Sequence, residues 1–270
     1  MKNIIIPVDF SENSGFALKA GAVLAKKHKA VLHVVHTLEL SDSIFSNTEN
    51  KNKIQFMVAF AYDQFELFLD KEYLKGIKVI PIIKHHKVYK EVTLVAKEIA
   101  ADLIVMGSHG VTARDGIFAG SNTERMIHNS EIPVLIISKD PKEFHLKKVI
   151  IGTDLTPESR SSYLQKIALF SKLGCTICPV YINLPYGSFI SSREFHKKVS
   201  LFTVAGELEN IAFIASHTLE DGLIHYAEDT NADLIAVSAT SKKGVSYYFN
   251  SSISEDLSVY ATLPIMTFNV

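Results

Sequence analysis

Short apolar runs alternate with longer amphipathic stretches along the chain. Residues 2–8, "KNIIIPV", are almost continuously apolar and predict a strand, Lys2–Val8. "SENSGFALKAGAVLAKKH" follows with apolar positions at helical spacing and a serine placed to cap its start. The pattern then predicts a strand at Ala30–Thr37, a helix from near Glu49 to Tyr73 and a strand at Lys78–Lys84. A helix at Val88–Ala100, a strand at Leu103–Met106, a helix at Ser121–Asn129 and a strand at Pro133–Ser138 complete the series. The strands lack a period of two, as expected where both faces of a sheet are covered. Regular alternation of such strands with helices predicts a doubly wound parallel sheet, whose ligands sit beyond the carboxyl ends of the strands.

The pattern then repeats. "NIIIPVDFS" returns as "KVIIGTDLT", which places Asp154 at the position of Asp9. "ADLIVMGSHG" returns as "ADLIAVSATS", and Pro133 before the last strand matches Pro264. The first pair lies 145 residues apart and the later pairs 131, so the second copy is 14 residues shorter in its middle. The shortening is expected around the helix at Asn47–Leu74. The chain therefore reads as two tandem α/β domains, residues 1–140 and 146–270, joined by the charged segment "SKDPKEFHLKK".

Composition narrows the function classes. The 270 residues carry 28 basic and 29 acidic side chains, a net charge of −1, which gives no footprint for nucleic acid or an anionic membrane. The most apolar stretch, "IQFMVAFAYDQFELFLDKEYL", is interrupted by Asp63 and Glu66 and predicts an amphipathic core helix, with Val58, Ala61, Phe65 and Phe68 inward and Phe56, Phe60 and Asp63 on another side. "MKNIIIPVDF" enters a strand with no signal peptide, so a cytoplasmic location is expected. Cys175 and Cys178 have redox spacing, yet "CTICPVYI" reads as a strand and lacks the helix start that lowers a thiol pKa; they read as small core residues.

The candidate chemistry lies in "VMGSHGVTARDGIFAGSNTE". Gly107, Gly110 and Gly120 sit between a strand and a helix beginning at Ser121. Glycines let a ligand approach the backbone, and N–H groups of such a loop and of a helix start suit phosphate. Ser121-Asn122-Thr123-Glu124 is also a capping box, which the helix needs for itself. The second copy has Ser238, Ser241 and Ser251 at the glycine positions, but Ser252 to Glu255 keeps the box. By elimination the cap goes with the fold and the glycines with a ligand in the first copy. Asp9 and Asp154 both end a first strand, where they either fix the turn or accept a hydrogen bond from a ligand. There is no P-loop and no G-x-G-x-x-G.

The glycine spacing, the "IIIPVDFSENS" opening and the proline-led last strand resemble the universal stress protein family over the whole chain as a tandem pair. The resemblance implies a Rossmann-like HUP fold, two copies of a five-stranded parallel sheet with helices on both faces. It implies ATP, AMP or ADP at the strand ends of the first copy, with Mg2+ carried by the phosphates. Pro7, Val8 and Asp9 would border the adenosine. Thr37, following His36 where the family usually has valine, would meet adenine through its main chain. Met106, Gly107 and Gly110 would line the ribose and α-phosphate. Gly120, Ser121 and Asn122 would meet the outer phosphates, with His109 between the glycines. No metal-binding residues are assigned.

Three functions follow: a nucleotide-dependent stress regulator, a slow ATPase or phosphotransferase using Ser121 or His109, and a nucleotide-free scaffold. The glycine loop contains no strong general base. Relatives of this type commonly pair through the last strand, so the two copies are expected to pair within one chain through "PVLIIS" and "PIMTFN", with a homodimer as the further expectation.

Overall fold

A computed structural model describes residues 1–38, 40, 51–108, 121–185, 189–203, 210–239 and 263–269. The chain divides into two compact units, Met1–Phe144 and His145–Val270. The division falls inside the charged segment that separates the two copies in the sequence.

In the first unit, strand β1 (Asn3–Val8) leads through helix α1 (Glu12–His28) to β2 (Val31–Thr37). Helix α2 (Lys51–Leu69) and a short 3-10 turn lead to β3 (Val79–Lys84). Then come α3 (Val88–Glu98), β4 (Leu103–Gly107), α4 (Ser121–Asn129) and β5 (Val134–Ile137). The strands lie in the order β3-β2-β1-β4-β5, and each adjacent pair is parallel. The three isoleucines of β1 are fully buried, as continuous apolar strands require when both faces are covered. α1 lies on the sheet through Ala17, Leu18, Ala20, Gly21 and Ala22, a run of mostly small side chains that lets the helix approach closely. At Gly21 a Cβ would come within 2.5 Å of Cδ1 of Ile6.

The second unit repeats this plan with β6 (Lys148–Gly152), α5 (Arg160–Lys172), β7 (Thr176–Asn183), α6 (Ser192–Phe202), β8 (Ala212–Ala215), α7 (Leu219–Thr230), β9 (Leu234–Ala239) and β10 (Ile265–Asn269). Its strand order is β8-β7-β6-β9-β10, again parallel. The shortening falls where the sequence places it: α6 has 11 residues against 19 in α2. Cys178 lies in β7 and Cys175 just before it; both are half-buried and neither is in a disulfide.

Helix α2 differs from its expectation as a core helix. Ala61 and Phe65 are buried, whereas Phe56 is 72% exposed, Phe60 55% and Leu67 70%. The helix has apolar residues on two faces and only one of them rests on its own unit. A single helix in a two-layer contact cannot bury both.

Candidate functional site

The strand order determines where a ligand fits. Chain connections run one way from β1 through β2 to β3 and the other way to β4 and β5, so the direction reverses between β1 and β4. In a doubly wound sheet a crevice opens at that reversal, outside the carboxyl ends of the two strands. Pro7, Val8 and Asp9 end β1, and Met106 and Gly107 end β4, so these five residues flank the reversal. Thr37 ends β2, beside β1. Pro7, Val8 and Met106 are buried, while Asp9, Thr37 and Gly107 are half-buried at this edge.

Helix α4 is tied to the same place. The hydroxyl of Thr123, in its first turn, donates to the Gly107 carbonyl at 2.9 Å. The bond spans 16 residues and brings Ser121 and Asn122, the first residues of α4, to the end of β4. Thr123 is 3% exposed, and within the Ser121 to Glu124 box sequence reasoning gave it no role. His109, Gly110 and Gly120 lie outside the described residues, as do Ser241, Ser251 and Ser252 of the second copy.

Asp9 has a structural duty. Its Oδ1 accepts from the backbone N–H of Ser11 at 3.1 Å and from the Ser11 hydroxyl at 2.5 Å. Ser11 in turn caps α1, accepting from Ser14 N–H at 3.2 Å. Phe10, between them, has φ 63°, a left-handed conformation that is uncommon outside glycine, asparagine and aspartate. The second unit repeats the arrangement: Leu155 has φ 57°, and Oδ1 of Asp154 accepts from Thr156 N–H and from the Thr156 and Ser159 hydroxyls. The turn-fixing role of the aspartates therefore belongs to both units.

Gly107 also has a packing reason of its own. A Cβ there would lie 2.8 Å from the Asn13 carbonyl oxygen and 2.9 Å from its carbon, both backbone atoms at the start of α1. The elimination that assigned every glycine to a ligand does not hold at this position. The equivalent helix of the second unit starts at Arg160, three residues later than the counterpart of Glu12. The residues before it form tight turns, closed by Ser159 N–H on the Thr156 carbonyl and Arg160 N–H on the Pro157 carbonyl, and a side chain stands at the end of β9.

That side chain is Ser238, and it belongs to a buried polar cluster. Its hydroxyl pairs with the Ser162 hydroxyl at 2.8 Å and accepts from the Lys166 ammonium. Lys166 also donates to Ser162 at 3.0 Å, and its Nζ lies 5.6 Å from the centre of the Phe268 ring. By the repeat offset, Lys166 stands where the first copy has Gly21, and Ser162 where it has Ala17. Burial pushes the Lys166 pKa down to about 7, while the Asp154 carboxylate acts in the opposite direction. The second unit thus has three polar side chains packed against the end of β9, where the first has two small residues and a glycine. Sequence comparison finds Ser238, but Lys166 carries no sequence signal because it lies in the middle of a helix.

An aromatic box closes the β1–β2 side of the first unit. The Phe10 ring lies 4.5 Å from that of His36, 5.1 Å from Phe65 and 5.6 Å from Phe68, measured between centres. His36 Nδ1 is 2.9 Å from the Val8 carbonyl oxygen. These contacts fix α2 to the strand ends beside Thr37. Among the described residues, no group of three His, Cys, Asp or Glu side chains is placed to hold a metal, and no helix is long and apolar enough to cross a membrane.

Fold and strand-end edge together define a tandem α/β protein of the doubly wound, parallel class. A model of the Universal stress protein family matches residues 1–138, and the chain belongs to that family. It is 31% identical over 157 residues to the universal stress protein MJ0577 of Methanocaldococcus jannaschii, an alignment covering 51% of this chain and 95% of that protein. It is 30% identical over 144 residues to MJ0531 of the same organism, covering 53% and 85%. A crystal structure of a universal stress protein from Archaeoglobus fulgidus matches the fold of 99% of this chain and 96% of its own, with a TM-score of 0.64 and 19% identity.

Proposed function

We propose that the protein binds an adenine nucleotide, ATP or its AMP or ADP relatives, in its first unit and acts as a nucleotide-dependent regulator in a stress response. The observation that carries this reading is the pair of strand ends at the topological reversal, with the start of α4 tied beside them through Thr123 and Gly107. Pro7, Val8 and Met106 offer an apolar wall for the adenosine. Asp9, Thr37, Gly107 and Asn122 keep part of their surface at the same edge, which suits a ligand with an apolar base and a polar sugar. His109, Gly110, Gly120 and Ser121 are assigned to the phosphates on the glycine spacing and the helix start. Magnesium would be held through phosphate oxygens and water.

The test is nucleotide release. Mass spectrometry of the denatured, freshly purified protein should find an adenine nucleotide, and ATP should rebind. Gly120→Val should weaken ATP binding at least tenfold, about 1.4 kcal/mol, because a branched side chain obstructs the helix entrance. Ser251→Val, at the equivalent place in the second copy, should leave binding unchanged. Unchanged affinity in a folded Gly120→Val variant would reject the phosphate assignment. Steady-state phosphate release separates a binding regulator from a slow ATPase.

A further inference from the structure

Helix α2 carries a second apolar face that its own unit does not use. Lys53, Phe56, Phe60, Asp63 and Leu67 of the helix, and Asp70 just past its end, follow one another at intervals of three and four residues, the spacing of a coiled-coil seam. All six are exposed. The buried residues Ala61 and Phe65 face the other way, and Phe65 anchors the helix against Phe10. The seam is therefore presented outward on a helix whose inner side is already held.

Its charges are ordered. Lys51 and Lys53 stand in the first turn, where no acidic residue occurs, and the last turn contains no basic one. Asp63 and Glu66 follow toward the carboxyl end, and Asp70 stands just past it. This is the reverse of what a helix macrodipole favours, since anions stabilise the amino end and cations the carboxyl end. A helix laid antiparallel against it, bearing the same sequence, corrects the mismatch by bringing acidic groups to the basic end and basic groups to the acidic end. The outer pairs of the seam are self-complementary in this orientation. With the twofold axis between Phe60 and Asp63, Phe56 lies opposite Leu67 of the second copy and Lys53 opposite Asp70 of the second copy. Each position is matched to its counterpart in reverse, as an isologous interface demands.

We infer that α2 is a docking surface for a second copy of this chain, paired antiparallel along the seam from Lys53 to Asp70. The apolar pairs provide the attraction. Asp63, set beside Phe60 near the axis, weakens it, and the terminal lysine–aspartate pairs set register and orientation. The resulting dimer is expected to be reversible.

Sedimentation velocity on the full chain through the micromolar range tests this. The expected result is a concentration-dependent monomer–dimer equilibrium. Phe60→Glu should raise the dissociation constant at least about tenfold, and Leu67→Glu should do the same. Lys53→Asp and Asp70→Lys should each weaken the dimer, and the double variant should restore it, since the pair is then merely exchanged. All four positions are exposed, so the variants should keep the circular dichroism spectrum of the parent. Three results would overturn the inference: a monomer throughout the range, a dimer indifferent to both glutamate substitutions, or a double charge exchange no tighter than the single ones. A dimer that ignores the glutamates forms through another surface.

Discussion

At the scale of single residues, Lys166 shows how a buried group is tolerated. It is 1% exposed, yet it is bonded to two serine hydroxyls and lies near an aromatic ring. Burial disfavours the ammonium, so its pKa falls to about 7. The unfolded lysine keeps its proton to about pH 10.4. Between these values the unfolded chain binds more protons at this lysine than the folded one, so its contribution to stability rises as pH rises from about 7 toward 10. Below pH 7 both states are protonated, and the cost of burying the charge is borne in full. The slope contributed by this residue is at most about 1.4 kcal/mol per pH unit. Urea unfolding of the second unit across this range should show the rise, and Lys166→Met should flatten it. An unchanged slope in the variant would mean that the amine remains charged in the fold.

At the scale of elements, one repeated aspartate explains a repeated phrase. "ADLI" occurs twice because the carboxylate at its second position closes the entrance of the neighbouring strand. Asp102 accepts from the backbone N–H groups of Lys2 and Asn3 at the start of β1, and Asp233 accepts from those of Lys147 and Lys148 at 2.8 Å each. Charge-assisted bonds of this kind are stronger than neutral ones. Asp102→Ala should lower the stability of the first unit by about 1–2 kcal/mol, and Asp233→Ala should do the same to the second. Denaturation midpoints that move by much less would show that water replaces the carboxylate without loss. The elements of the first copy were readable from periodicity within about two residues at each end, except that α2 ends at Leu69 and not near Tyr73. The inner face of α2 was not: Val58 and Phe68 were counted with the core, but only Ala61 and Phe65 of that face are fully buried.

At the scale of the whole molecule, the two units share a plan and differ at the reversal of strand direction. The first has Gly107 there, against the start of α1; the second has Ser238 with Ser162 and Lys166. A nucleotide that needs this edge should find it in the first unit alone. Titration calorimetry of the nucleotide-free protein should therefore give one ATP-class nucleotide per chain. Two equivalent sites would show that the serine–lysine cluster yields to a ligand.

The sequence by itself determined the duplication, the α/β class, the order of the elements and the strand-end position of Asp9, Met106 and Gly107. Those properties follow from hydrophobic period and from the repeated phrases, which are local. The tertiary structure decided which neighbours each residue has. It showed that Gly107 is close-packed against Asn13, that Thr123 holds α4 to β4 across a separation of 16 residues, and that Lys166 reaches Ser238. It also showed that one face of α2 points outward. Contacts between residues far apart in the chain depend on how helices lie on the sheet. A helical period marks an apolar face but does not say which of two such faces the rest of the protein will cover.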